Sequence, residues 1–218
     1  ASALARYARV LPLLAWGYHT EHARWLQACR AWEAAGIAMS NPASVIAWNS
    51  DKRYLEELAR KGVAIPHTRF TENLGGDLVR EMLEELASDE LIVKPAVSGG
   101  AWNTRRVRRG SELDAAFWDG VAGMHMLVQP YLSTIESEGE TSLLFFGGEL
   151  SHVVNKRPLS GDFRVQEEFG GAYTLLDEPP AGALALAEKT FAAIGAPLLY
   201  ARMDMVPDAD GHWLLMEA

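Results

Sequence analysis

Residues 198–218, LLYARMDMVPDADGHWLLMEA, read as two core strands around a turn, yet they carry Arg202, Asp204 and Glu217. If Asp208-Ala209-Asp210-Gly211 is a four-residue loop, Pro207 faces His212, and Asp204 and Glu217 share one face as diagonal neighbours. Cα atoms so placed are roughly 7–8 Å apart, close enough for two carboxylates to hold one divalent cation. A five-residue loop would put the two acids on opposite faces. Lys94 raises a second question. It follows Leu91, Ile92 and Val93 at the end of a strand too apolar to be exposed, and a buried ammonium needs an anionic partner. Ser98, Gly99 and Gly100 come next. A glycine loop lets backbone N–H groups approach phosphate oxygens, and a lysine beside it supplies a point charge. On these residues alone a surface lysine before a hairpin turn is the competing reading.

The chain has only five lysines. Lys52 is expected in the first turn of a helix capped by Ser50, where a cation opposes the helix dipole unless a bound anion faces it. Lys156 ends the alternating segment ELSHVVNK and shares a face with His152 and Val154. Arg164 is expected on an alternating strand, free to meet a phosphate or carboxylate bidentately or to pair with Glu167 or Glu168. The six histidines are scattered without zinc-ligand spacing. Cys29, the single cysteine, falls with Trp25 and Trp32 on one helical face. No Ser-His-Asp or reactive-cysteine arrangement is present.

The elements that must position these groups alternate between helices and hairpins. Helices are expected over 20–35, 50–61, 77–87, near 111–121 (with Ser111 and Asp114 as a capping box) and over 182–195. Strands are expected near 62–70, over ELIVKP and HMLVQPYL, and in a hairpin turning at Gly147-Gly148. That order implies an α+β architecture. A net charge of -9 argues against a nucleic-acid partner. No apolar run is long enough for a bilayer and no signal-peptide pattern opens the chain, so a cytoplasmic protein without a membrane partner is expected.

Taken in order, NSDKRYLEELARKGVAIPHT, LIVKPAVSGGAW, VQPYLSTIESEGETSLLFFGGELSHVVNKRP, DFRVQEEFGG and YARMDMV…WLLMEA resemble the ATP-grasp superfamily in its glutathione-synthetase-like branch. The resemblance implies an ATP-grasp fold, two α+β subdomains clasping ATP. Its expected division is 1–45 as part of an N-terminal α/β domain, 46–128 as the subdomain with the glycine loop, and 129–218 as the subdomain with the metal site. It also implies roles. Lys52 and Lys94 would contact the α- and β-phosphates, under a loop of Ser98, Gly99 and Gly100. Gln129, Pro130, Tyr131 and Leu132 would form the hinge that reads adenine, with Leu132 as the backbone donor because Pro130 has no N–H. Glu140, or its neighbour Glu138, would bind ribose. Lys156 would sit beside the nucleotide, Arg164 and Arg202 would face the transferred phosphoryl group, and Asp204 and Glu217 would hold Mg2+. A third ligand would fall at position 219, so the chain is expected to continue past Ala218.

The implied activity is an ATP-dependent carboxylate–nitrogen ligase working through an acyl phosphate. Its partner would be an amino-acid-like small-molecule carboxylate, and a homo-oligomer is compatible with the sequence. Trp16, Tyr18 and His19 would wall the substrate or form an ordinary loop. The alternatives are an amide ligase for another amino acid, an ATP-grasp kinase, and a nucleotide-binding module without catalysis.

Overall fold

The computed structural model describes residues 3–13, 15–111 and 113–218. Two antiparallel sheets organise the chain. The first has four strands in the order β1 (Arg69–Thr71), β4 (Met126–Pro130), β2 (Glu90–Pro95) and β3 (Arg105–Arg108). The second has five, in the order β7 (Ala172–Leu176), β6 (Glu149–Arg157), β5 (Glu140–Phe146), β8 (Tyr200–Pro207) and β9 (Trp213–Glu217). Helices α4 (Gly76–Glu85) and α5 (Ala115–Val121) cover the first sheet, and Met82, Leu83, Val93, Phe117 and Val128 fill the layer between. Helices α3 (Tyr54–Arg60) and α7 (Ala181–Ile194) cover the second, packing Leu55, Leu58 and Leu186 onto Leu143, Phe145, Met203 and Leu215. A leucine as fully buried as Leu58 stabilises the fold by roughly 1.5–3 kcal/mol. Near the N-terminus, α1 (His22–Ala34) lies beside α2 (Ala43–Asn49), and Trp25 meets Trp32 edge to face. No helix among the described residues is long and apolar enough to cross a membrane.

Period-two alternation gives each sheet a dry face and a cleft face. In β2, Leu91 and Val93 are fully buried on the helix side while Ile92 and Lys94 line the cleft. In the larger sheet Leu143 and Phe145 join the core. Glu140 and Ser142 point the other way, opposite Lys156 and Asp204 respectively.

Four local expectations are corrected. Ser50 does not cap α3; it ends α2, and its hydroxyl donates to Ala47 O at 2.7 Å. Lys52 therefore lies in a turn between two helices, with α3 starting at Tyr54. Asp114, not Ser111, caps α5, accepting from Phe117 N at 2.7 Å. Arg164 is not on a strand, because Asp162 Oδ1 accepts the backbone N–H of both Phe163 and Arg164 and folds the segment into a turn.

The fourth concerns the last hairpin. Pro207 pairs with Trp213, so the loop has five residues. That register sets Leu215 opposite Met205 on the core face, and continued alternation would bury Glu217 there too. A bulge intervenes: Met216 has no partner, and Glu217 stands directly opposite Asp204. Such a bulge re-aims a side chain by one step, and here it returns Glu217 to the cleft.

Candidate functional site

The two cleft faces enclose a cavity of about 710 Å³. Every residue singled out above for the nucleotide, the metal or the transferred group lines it: Lys52, Lys94, Ser98, Gly99, Gly100, Gln129, Pro130, Tyr131, Leu132, Glu140, Lys156, Arg164, Arg202, Asp204 and Glu217. Trp16, Tyr18 and His19 line it as well, joined by Trp25 and Trp48. Glu138 is exposed and outside the lining, so the geometry favours Glu140 of that pair.

Charge is matched across the cavity by short contacts. Lys156 Nζ lies 2.9 Å from Glu140 Oε1 and 3.2 Å from Asp204 Oδ1. Arg202 lies 2.9 Å from Asp204 Oδ2, and the Ser142 hydroxyl donates to Asp204 Oδ1. Lys52 Nζ is 3.3 Å from Glu217 Oε1 and donates to Ser98 O at 3.1 Å, tying the glycine loop to the Glu217 carboxylate. Arg164 is held by Asp162 at 2.7 Å, not by Glu167 or Glu168, and stacks on Phe169 with its guanidinium carbon 3.8 Å from the ring centre.

These contacts set the protonation states. Burial pushes Asp204 up, but Arg202, Lys156 and the Ser142 hydroxyl outweigh it and hold the carboxylate below its ordinary range. Glu140 is raised by burial and by Asp204, with Lys156 opposing. Burial would lower Lys156, yet Asp204 and Glu140 raise it on balance. Lys94 has no such carboxylate partner within ion-pair range among the described residues. Burial and then the charge of Lys52 lower it to about 8.

The glycine loop is folded over the cavity. Gly100 (φ +59), Ala101 (φ +57) and Asn103 (φ +52) are all left-handed, a conformation that disfavours an L side chain and concentrates at functional loops. His19 stacks near Trp102, ring centres 5.7 Å apart, so the loop touches the N-terminal wall. At the hinge, Tyr131 N donates to Glu90 O at 3.0 Å, leaving Leu132 as the next amide that can face a ligand.

Gln129 is the most informative hinge residue. Thr68 Oγ1 donates to Pro66 O at 2.6 Å, so it can only accept from Gln129, and the amide NH2 must be the group 2.8 Å away. That assignment leaves Gln129 Oε1 as a buried acceptor without a donor. A buried orphan acceptor costs about 1–3 kcal/mol, a cost that a ligand's N–H would remove. Sequence reasoning missed Ser142, although Glu140 and Ser142 share one strand face and alternation could have found it. It also missed Trp25 and the contacts of Asn49 and Tyr54 with Ala218.

No protein-family model matches the chain. The cycloserine biosynthesis protein DcsG of Streptomyces lavendulae is 27% identical over 226 residues, 98% of this chain and 75% of its own. The crystal structure of D-cycloserine synthetase DcsG superposes with a TM-score of 0.78 at 26% identity, covering 98% of this chain and 76% of that one. The ATP-grasp ligase PsnB, complexed with minimal precursor, Mg and ADP, superposes with a TM-score of 0.62 at 19% identity, covering 92% of this chain and 59% of its own. The chain has the fold of the ATP-grasp ligases. Residues of both its sheets line the cavity.

Lys94 makes a pH dependence testable. A bound phosphate chain would favour the charged ammonium and raise Lys94 above about 8. Binding then takes up a proton at alkaline pH, so ADP affinity should fall as pH rises through the ligand-free value, by up to about tenfold per pH unit. Titration calorimetry across that range should show the loss in the parent and a flat profile in Lys94→Met. An equally flat profile in the parent would count against Lys94 as a phosphate contact.

Proposed function

We propose that the protein is an ATP-dependent carboxylate–nitrogen ligase that activates an amino-acid-like carboxylate as an acyl phosphate. We propose further that its reaction is the ring closure of O-ureido-D-serine to D-cycloserine, in antibiotic biosynthesis. The observation that carries the general reading is the convergence of Lys52, Lys94, Lys156 and Arg202 with Glu140, Asp204 and Glu217 in one cavity. The specific reaction rests on the similarity to DcsG over nearly the whole chain.

The residues suit the groups such a reaction needs. Asp204 and Glu217 offer hard carboxylate oxygens from directly opposite positions, a donor set that fits Mg2+. Bound magnesium would neutralise phosphate charge. Gln129 Oε1 fits an adenine amino group and repels the guanine carbonyl at the same place. Bound ATP would supply the phosphoryl group. The remaining work falls to this chain's side chains. Lys52 and Lys94 hold the phosphates, and Glu140 takes the ribose hydroxyls. Lys156, Arg202 and Arg164 stabilise charge on the transferred group. Ser98, Gly99 and Gly100, closed against His19 and Trp102, keep water from the activated acid. Trp16, Tyr18 and His19 form the substrate wall. No protein nucleophile is required.

The test is mass spectrometry after incubation with ATP, Mg2+ and O-ureido-D-serine. D-cycloserine with one ADP per ring supports the whole proposal. ADP formed only with another acid and a nitrogen donor would keep the ligase and discard the substrate. ATP binding without turnover on any acid would discard both. Gln129→Leu should raise the KM for ATP roughly tenfold, the worth of about one buried hydrogen bond, with kcat nearly unchanged. Its preference for ATP over GTP should shrink by a similar factor, as initial rates with each nucleotide will show.

A further inference from the structure

Glu217 is held in place from outside its own sheet. It ends β9, an edge strand, immediately after the bulge at Met216 has broken the ladder with β8. The peptide that follows it belongs to Ala218, beyond the last paired residue. Two side chains that flank the α2–α3 turn take up the backbone N–H and C=O of Ala218. Tyr54 Oη accepts Ala218 N–H at 2.8 Å and donates to Ala218 O at 3.2 Å. Asn49 Nδ2 donates to the same oxygen at 2.5 Å.

Tyr54 is 2% exposed, packed among Leu55, Leu143 and Met203, with Trp48 at 4.7 Å between ring centres. The turn between them carries Lys52, whose ammonium meets the Glu217 carboxylate and the Ser98 loop. One short stretch, 49–54, thus touches the carboxylate, the backbone behind it and the loop above it. A tyrosine buried only for packing would need some partner for its hydroxyl. Here both its donor and its acceptor go to the one residue next to Glu217, and a second side chain converges on the same residue.

We propose that Tyr54 and Asn49 are positioning residues for the metal-side carboxylate: by fixing the Ala218 peptide they set where the Glu217 side chain leaves the strand. The inference rests on the reading of Glu217 as a magnesium ligand. Groups that orient a ligand without touching the metal typically change metal affinity by about 10- to 100-fold. Loss of one of two such supports belongs at the low end.

The experiment follows Mn2+ binding to the ADP complex by electron paramagnetic resonance, with ADP affinity in chelator and melting temperature measured in parallel. Tyr54→Phe keeps the ring and removes both contacts. It should raise the Mn2+ dissociation constant roughly tenfold and leave metal-free ADP affinity within twofold of the parent. Asn49→Ala should move Mn2+ affinity in the same direction, and it carries the test alone if Tyr54→Phe fails to fold. Leu186→Ala, a core truncation on α7, serves as the control for lost stability. If Mn2+ affinity falls as much in that control, or stays unchanged in both Tyr54→Phe and Asn49→Ala, the positioning role is wrong. Glu217→Gln separates the underlying reading: unchanged Mn2+ affinity there would overturn Glu217 as a ligand.

Discussion

Asp204→Asn should bind ADP in the absence of metal at least as tightly as the parent, while magnesium-dependent turnover falls on the order of a thousandfold. The two effects have opposite signs because Asp204 has two relationships in the cleft. Without ligand its carboxylate neutralises Arg202 and Lys156, both of which line the cavity. Removing that charge frees both cations for a polyanion, so nucleotide binding should not suffer. Removing it also takes away one of two opposed carboxylates, which in the proposed reading place Mg2+. A well-placed metal is worth several kcal/mol to the transition state, and about 1.4 kcal/mol is tenfold in rate. Calorimetry with ADP in chelator, beside a coupled ADP-release assay, checks both halves. Weaker metal-free binding together with unimpaired turnover would sink the assignment.

Lys156→Met carries the largest expected cost in stability. The ammonium lies between Glu140 and Asp204, all three mostly buried. Taking one partner from a buried ionic cluster typically costs about 3–5 kcal/mol, because the remaining charges are left uncompensated. For a chain of this size that is a melting-temperature loss on the order of 10 °C. The loss should depend on pH in a definite direction. Glu140 is already raised by burial and by Asp204, against the pull of Lys156, and it rises further once that pull is gone. A carboxyl raised in the folded state contributes stability below its unfolded pKa and loses it as pH rises through the folded value. The deficit of the variant should therefore shrink from neutral pH toward pH 5. Thermal melts across that range decide it, and a deficit constant with pH would mean that Glu140 is not the group left exposed.

How legible this was in the sequence depended on whether a residue's role is local. Lys94 could be read because a charge at the end of LIV has to be explained wherever that strand goes. Lys156 could be read because it sits on an alternating strand, whereas Glu140 came only from the family resemblance with Glu138 left open, since alternation does not separate residues two apart. Arg164 could not, because Asp162 two residues earlier captures the backbone and replaces the strand with a turn. Ser50 was misplaced for a similar reason: it is a plausible start for α3, but PASVIAWN before it is a helix that claims it as an end. Asp204 and Glu217 were put on one face as diagonal neighbours, and they stand directly opposite. The loop is one residue longer than expected and the bulge adds one more, so the register moves by two and the shared face survives. Tyr54 and Asn49 left no local trace, because their partner lies more than 160 residues away.

Met216 has a consequence for the length of the chain. Alternation is out of phase across it, so Leu215 faces the core and Glu217 the cleft although they are two apart. Deleting Met216 would make the glutamate the next residue after Leu215, and ordinary alternation would then place it in the cleft unaided. Deleting Leu214 or Leu215 would instead slide the core side chains against their partners. Strands normally reject single-residue deletions while loops absorb them; in β9 the position that can absorb one lies inside the strand, beside the carboxylate it serves.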